Sequence, residues 1–186
     1  MASLARVSTQ LITGAETGIN DVGIADVQLR DLKVYGDDRG RVLEGWREEW
    51  VEWSVKQLTE ARAQTGVMKG LHLHYRQWDW WRCISGRMLV GLFDARPGSP
   101  THGAAAQFEL NPLTPQALAI PPGVAHGFYV VEDLEMIYLL SEVYDPGDEF
   151  GIHYETVGLE WPNPNPILSQ RDIDLPARDA FIWEGS

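Results

Sequence analysis

The feature that most constrains this chain is the way glycine and proline cut it. Its 18 glycines and 11 prolines are spread along 186 residues and are not pooled into a linker. Gly36, Gly40, Gly66, Gly70, Gly86, Pro97-Gly98, Gly103, Pro121-Pro122-Gly123 and Pro146-Gly147 punctuate short segments. The runs between them have strand character: Val51 to Gln57, which alternates, then Val67 to His74, Met88 to Phe93, Ala104 to Leu110, Gly127 to Val131 and Leu134 to Val143. Many short strands broken by Gly and Pro turns predict an all-β sandwich or barrel. Helical periodicity is weak, with room for a turn or two in Glu44 to Trp53 and in the tail after Asp172. The run Pro162-Asn163-Pro164-Asn165-Pro166 reads as an extended connector, since proline pushes the residue before it away from the α region.

A chain of this length suits a single domain, residues 1–186, and buries roughly 70% of its unfolded surface without staples. The lone cysteine, Cys83, has no internal disulfide partner and fits a reducing compartment. Met1 to Gly18 lacks the apolar stretch of a signal peptide, and no run approaches the ~20 apolar residues of a membrane helix. A cytoplasmic protein is expected. The formal net charge of −12 argues against nucleic-acid polymers and anionic membranes as partners, because both require a basic footprint. It leaves room for a nucleotide-sized anion held by a few placed cations. Eight tryptophans is a high count. In a strand, Trp78 and Trp80 share one face and Trp81 takes the other.

Several segments, in order, resemble the dTDP-4-dehydrorhamnose 3,5-epimerase family of cupin-like jelly rolls. They are Gly36-Asp37-Asp38-Arg39-Gly40 with Glu44, Gly70-Leu71-His72, and Asp94-Ala95-Arg96-Pro97-Gly98-Ser99-Pro100-Thr101. Ile120-Pro121-Pro122-Gly123-Val124-Ala125-His126-Gly127-Phe128, Tyr138 and Val143-Tyr144-Asp145-Pro146 follow. Glu160-Trp161-Pro162 and Leu168-Ser169-Gln170-Arg171-Asp172 complete the set. The resemblance implies an all-β, cupin-like jelly roll (a double-stranded β-helix) with its core at about residues 33–160, an N-terminal arm and a C-terminal strap. It implies a nucleotide-sugar isomerase that works without a cofactor. His72 is then the base that removes a proton beside the C4 ketone of a 4-keto-6-deoxy sugar nucleotide. Asp172 is its partner, and Tyr138 delivers or relays a proton on the opposite face. Arg39, Glu44, Gln57, Lys69 and His126 fall among the substrate contacts, some of them across a dimer interface. An open jelly-roll edge also favours a homodimer.

The departures from that family alter its chemistry. Lys69 replaces the arginine before Gly-Leu-His, Thr59 and Ala61 replace an Asn and a Ser, and His74 replaces a Gln. Asp79 stands where the family has the lysine that stabilises the enolate oxygen, and a carboxylate there opposes such an anion. The same residues support a second reading. His72 and His74 alternate on a strand, Asp79 follows after four intervening residues, and His126 lies on a later strand. This spacing resembles the metal-binding cupin pattern with Asp for the usual Glu. The tetrad His72, His74, Asp79 and His126 suits one divalent transition metal. The two readings compete for His72, since a metal-bound imidazole is not a free base. Plainer readings stand beside them. His126 and His74 can be polar barrel residues, Asp79 an exposed hairpin residue, Asp172 a helix N-cap, and His102 and His153 surface residues. A metal-dependent cupin enzyme on a small polar or carbohydrate-like substrate and a non-catalytic sugar-binding cupin are the alternative functions.

Overall fold

A computed structural model describes residues 18–185; residues 1–17 of the expected N-terminal arm lie outside the described residues. The strands are β1 (Ile19–Asn20), β2 (Gln28–Asp31), β3 (Val34–Asp37), β4 (Gly40–Leu43), β5 (Gln57–Ala63) and β6 (Met68–Leu73). They continue with β7 (Asp79–Asp94), β8 (Ala105–Leu110), β9 (Gln116–Ile120), β10 (Val124–Leu140) and β11 (Phe150–Gly151). One short helix, α1 (Gln170–Ile173), stands in the C-terminal strap. Among the described residues no helix is long and apolar enough to cross a membrane.

Two long antiparallel strands, β7 and β10, organise everything else. The start of β7, Asp79 to Trp81, pairs with β9, which carries β2 and β1. The end of β10, Leu134 to Leu140, pairs with β5. The other half of β7, Met88 to Phe93, pairs with β8, and the first half of β10 pairs with β6, which carries β11. Each long strand therefore passes from one sheet into the other. The bend falls where the β7 and β10 ladder slips register three times, between Val130 and Met136. Gly86 stands at that bend with φ +81°, and a side chain there would strike the carbonyls of Glu132 and Asp133. Bulges and glycine are what allow a strand to turn this sharply.

The core lies between the two sheets. Leu29, Leu118, Trp81 and Met136 of one pack with Val90, Leu92, Leu110 and Phe128 of the other. The outer faces are covered as well. Leu71, Leu73, Phe93 and Ile152 lie beneath Leu159, Trp161, Phe181 and Trp183 of the strap. Trp80, Ala117 and Leu139 lie beneath Trp46, Trp50, Val51, Trp53 and Val55. This is the cupin-like jelly roll with a C-terminal strap that the resemblance implies. Glu44 to Trp53 yields only a 3-10 turn, Glu48–Trp50. Val51 to Gln57 is corrected: burial alternates, but pairing with β10 is strand-like only from Gln57 onward. The residues before it instead cover Trp80, whose indole N–H donates to Gly45 O at 2.9 Å. Gly127 to Val131 and Leu134 to Val143 are one strand up to Leu140, continuous through the bulges.

Candidate active site

The site begins with a close approach of β6 to β10. Gly70 has φ +102°, and a Cβ there would lie 2.6 Å from His126 O and 2.9 Å from Gly127 Cα. Only glycine lets the strands meet so closely beside the register shift between His126 and Phe128. As a result His72 lies directly opposite His126.

His72 Nε2 lies 2.7 Å from Asp172 Oδ1, and the carboxylate is almost fully buried. The strap holds it there. Ser169 caps α1, accepting from Asp172 N at 3.2 Å while its hydroxyl donates to Asp172 Oδ2 at 2.6 Å. Gly70 N donates to Oδ1 at 3.1 Å. Asp172 is therefore not the N-cap itself but stands three residues beyond it. Burial alone would raise its pKa. The bonds from His72 and Ser169 outweigh burial and bring it down to about 2. An ionised, oriented carboxylate fixes the imidazole's N–H toward itself and leaves a lone pair on the other ring nitrogen.

His74, Asp79 and His126 converge beside this pair, each offering one donor atom within 4.8 Å of the others. His74 Nδ1 donates to Asp148 O at 2.8 Å, and His126 Nδ1 donates to Val124 O at 2.9 Å. Asp79 is buried. Its Oδ1 accepts from Gln77 Nε2 at 2.6 Å and its Oδ2 from Trp81 Nε1 at 2.9 Å. Burial pushes His126 down to about 4, against the pull of Asp79. The expected tetrad is corrected to a triad: His72 stays with Asp172 and is not part of the converging group. The rivalry for His72 disappears with it.

These groups line one cavity of about 270 Å³ together with Gln57, Lys69 and Tyr138. Burial, and then the Asp79 carboxylate, push the Tyr138 phenol up to about 12, so it stays protonated at neutral pH. Gln57 is braced by Thr59 Oγ1 at 3.0 Å and by Tyr144 N at 2.9 Å. Arg39 and Glu44 are not brought to this cavity. Arg39, with its side chain 86% exposed, pairs with Asp37 on the β3 and β4 hairpin, and Glu44 pairs with Arg47 at 3.1 Å. Trp81 forms a wall, 5.2 Å from His126 and 6.0 Å from Tyr138 between ring centroids. Trp80 faces the opposite way into the packing beneath Trp50. His102 is exposed, whereas His153 is corrected to a partly buried residue, stacked on Tyr154 with its backbone N–H donating to Pro176 O at 2.8 Å.

Sequence reasoning passed over Gln77, Asp148 and Glu149. Asp148 positions His74 through its carbonyl and caps Tyr75 N through its carboxylate at 2.8 Å. Glu149 lies 3.4 Å from His74 and pairs with Arg171. No spacing rule links residues 74 and 148; only the fold does. Ser169 was within reach, because a serine three residues before an acid at a helix start is a capping signal.

A jelly roll whose cavity holds a carboxylate-backed histidine and a protonated tyrosine is built for moving protons at a small bound molecule. The family model for dTDP-4-dehydrorhamnose 3,5-epimerase matches residues 21–179. The dTDP-4-dehydrorhamnose 3,5-epimerase of Shigella flexneri is 34% identical over 163 residues, covering 81% of this chain and 90% of that one. Among solved structures, the dTDP-6-deoxy-D-glucose-3,5-epimerase of Legionella pneumophila, in complex with dTDP-4-keto-L-rhamnose, superposes with a TM-score of 0.84. It is 27% identical and covers 90% of this chain and 95% of its own. A 3'-monoepimerase from Streptomyces bikiniensis, in complex with dTDP-quinovose, gives a TM-score of 0.79 at 26% identity, covering 84% of this chain and 85% of its own. The chain belongs to the dTDP-4-dehydrorhamnose 3,5-epimerase family, a family of isomerases.

Proposed function

We propose that this protein is a nucleotide-sugar epimerase that inverts carbon beside the C4 ketone of a 4-keto-6-deoxy sugar nucleotide. The observation that carries the reading is His72 held by buried Asp172 at 2.7 Å in the cavity shared with Tyr138. The nucleotide sugars named with the Legionella and Streptomyces relatives support the substrate class. In this reading His72 removes the proton next to the ketone, the C–H electron pair forms a C=C bond, and the carbonyl oxygen becomes an enolate. Asp172 stabilises the imidazolium that results. Tyr138 returns a proton from the other side of the sugar plane, inverting the carbon, and is reprotonated from solvent. Gln57 and Lys69 hold the substrate, with His126 on the opposite wall.

The test is wash-in of solvent deuterium into a dTDP-4-keto-6-deoxy sugar, followed by mass spectrometry. Wild-type protein should incorporate deuterium, and the number of deuterons counts the carbons served. His72→Ala should slow incorporation by about 10²–10⁴-fold, the usual contribution of a general base. Unchanged exchange in that variant overturns the assignment.

We further infer a homodimer in which Arg39 and Glu44 serve the partner's cavity. The support is the place of Arg39 in the turn of the β3 and β4 hairpin and of Glu44 just after β4, both outside their own cavity, with Tyr35 and Val42 of the hairpin exposed. Light scattering should give the mass of two chains. Arg39→Ala should raise KM for the nucleotide sugar about 10-fold while leaving the dimer intact, as expected for the loss of one charge-assisted contact. A monomer at micromolar concentration defeats this inference.

A further inference from the structure

We propose that His74, Asp79 and His126 hold one divalent transition-metal ion in the wall of the catalytic cavity, beside the base and distinct from it. The inference rests on the epimerase reading for its purpose, but its evidence is separate.

The donor atoms are prepared for a metal. Both imidazoles spend Nδ1–H on a backbone carbonyl, Asp148 O for His74 and Val124 O for His126. The lone pair of each is thereby placed on Nε2. A ring nitrogen anchored by an outer hydrogen bond is the usual state of a metal-ligating histidine. His126 Nε2 lies 3.6 Å from Asp79 Oδ2. Ligands at ~2.0–2.1 Å from a tetrahedral ion lie about 3.4 Å apart, so this edge is close to ligating length. All three donors fall within 4.8 Å of one another, and an inward shift of order 1 Å completes the set. Gln77 and Trp81 each donate to one Asp79 oxygen, orienting the carboxylate as outer hydrogen bonds do in metal sites.

The charges point the same way. Asp79 is buried, and among the described residues no lysine or arginine pairs with it. A buried carboxylate without a cation is costly. Of the two carboxylates in the cavity lining, Glu149 is paired with Arg171, while Asp79 faces the cavity with no lysine or arginine beside it among the described residues. That unpaired negative charge opposes an enolate. A divalent ion reverses it, and three protein ligands leave coordination positions open toward the cavity. When His72 takes the proton, the electron pair that arrives on the ketone oxygen then meets a positive centre.

The experiment uses the untagged full-length chain, freed of metal with a chelator and titrated with Co²⁺ and Zn²⁺. Cobalt should bind at one equivalent per chain and give the visible absorption of a low-coordinate site, displaced by zinc. Asp79→Asn keeps the shape but turns one of the two acceptor oxygens into a donor, so it loses the charge and one of the bonds from Gln77 and Trp81. It should weaken cobalt binding by more than the roughly 10–100-fold that loss of an outer hydrogen bond costs. His126→Ala should abolish it. His72→Ala should bind cobalt like wild type and yet fail to exchange deuterium. Absence of stoichiometric cobalt binding to folded wild-type protein overturns the site. So does cobalt binding unchanged in Asp79→Asn and His126→Ala. Exchange that is full without metal and unmoved by zinc overturns its purpose and leaves the epimerase reading standing. Stoichiometric binding with no exchange under any metal sinks the epimerase reading and leaves the site.

Discussion

At the scale of single residues, the site is defined by what each polar atom is already bonded to. Asp172 accepts from His72, Ser169 and Gly70, so its carboxylate is committed to orienting the His72 imidazole. Asp172→Asn should slow deuterium exchange about 10–100-fold, less than His72→Ala, because the imidazole stays and only its orienting charge is lost. Tyr138→Phe separates the two faces. The carbon served by His72 should still exchange, while formation of inverted product falls. Loss of exchange and inversion together in Tyr138→Phe would mean that Tyr138 acts in proton removal. Asp79 shows how one substitution changes the meaning of its neighbours. Where the resemblance implies a lysine, this chain has a carboxylate with His74 and His126 facing it.

At the scale of elements, the register that sets His72 opposite His126 depends on β6 being able to touch β10. Gly70 and Gly127 face each other where any side chain would enter the opposing backbone. Gly70→Ala forces a Cβ into a positive-φ position already filled by His126 O. It should cost about 2–4 kcal/mol, from backbone strain together with overpacking, measurable by urea unfolding. Exchange should fall in the protein that still folds, because His72 moves relative to Asp172. A neutral Gly70→Ala would show that the strands can part without consequence. The four residues of α1 are too short to be stable alone. Their cap, Ser169, and the buried bond to His72 fix them, so the His72 and Asp172 pair also anchors the strap.

At the scale of the whole molecule, the Asp94 to Thr101 motif is structural. Burial would raise Asp94, but the Arg96 guanidinium and the hydroxyls of Ser99 and Thr101 outweigh it and bring it down to about 2. Arg96 also bonds Asp26 at 2.8 Å and Ala25 O at 2.8 Å, tying the chain before β2 to the end of β7. Asp94 and Asp172 therefore titrate below their unfolded values. Each contributes roughly 2 kcal/mol of stability that is present above about pH 4 and lost as the pH falls toward 2. Chemical denaturation at stepped pH should show stability falling through that window. Asp94→Asn should flatten part of the fall without touching exchange at neutral pH. A stability profile level between pH 4 and pH 2 would contradict both pairings.

The sequence by itself determined the class of the fold, because turn residues and strand runs are local properties and each was written at its own position. It also singled out His72, Asp172 and Tyr138, through motifs that survive as short strings, as the residues proposed to move protons. It did not determine that Val51 to Gln57 would cover Trp80 before it began pairing, since alternation is the same for a paired strand and a packed extended segment. Nor did it separate the converging group of His74, Asp79 and His126 from His72. His72 and His74 share one face of a strand by their spacing, and only the strap's arrival with Asp172 decides that one imidazole bonds a buried carboxylate while the other turns to Asp79 and His126. That choice depends on contacts between residues up to a hundred positions apart. No local pattern encodes such contacts, because they exist only once both sheets have closed on the core.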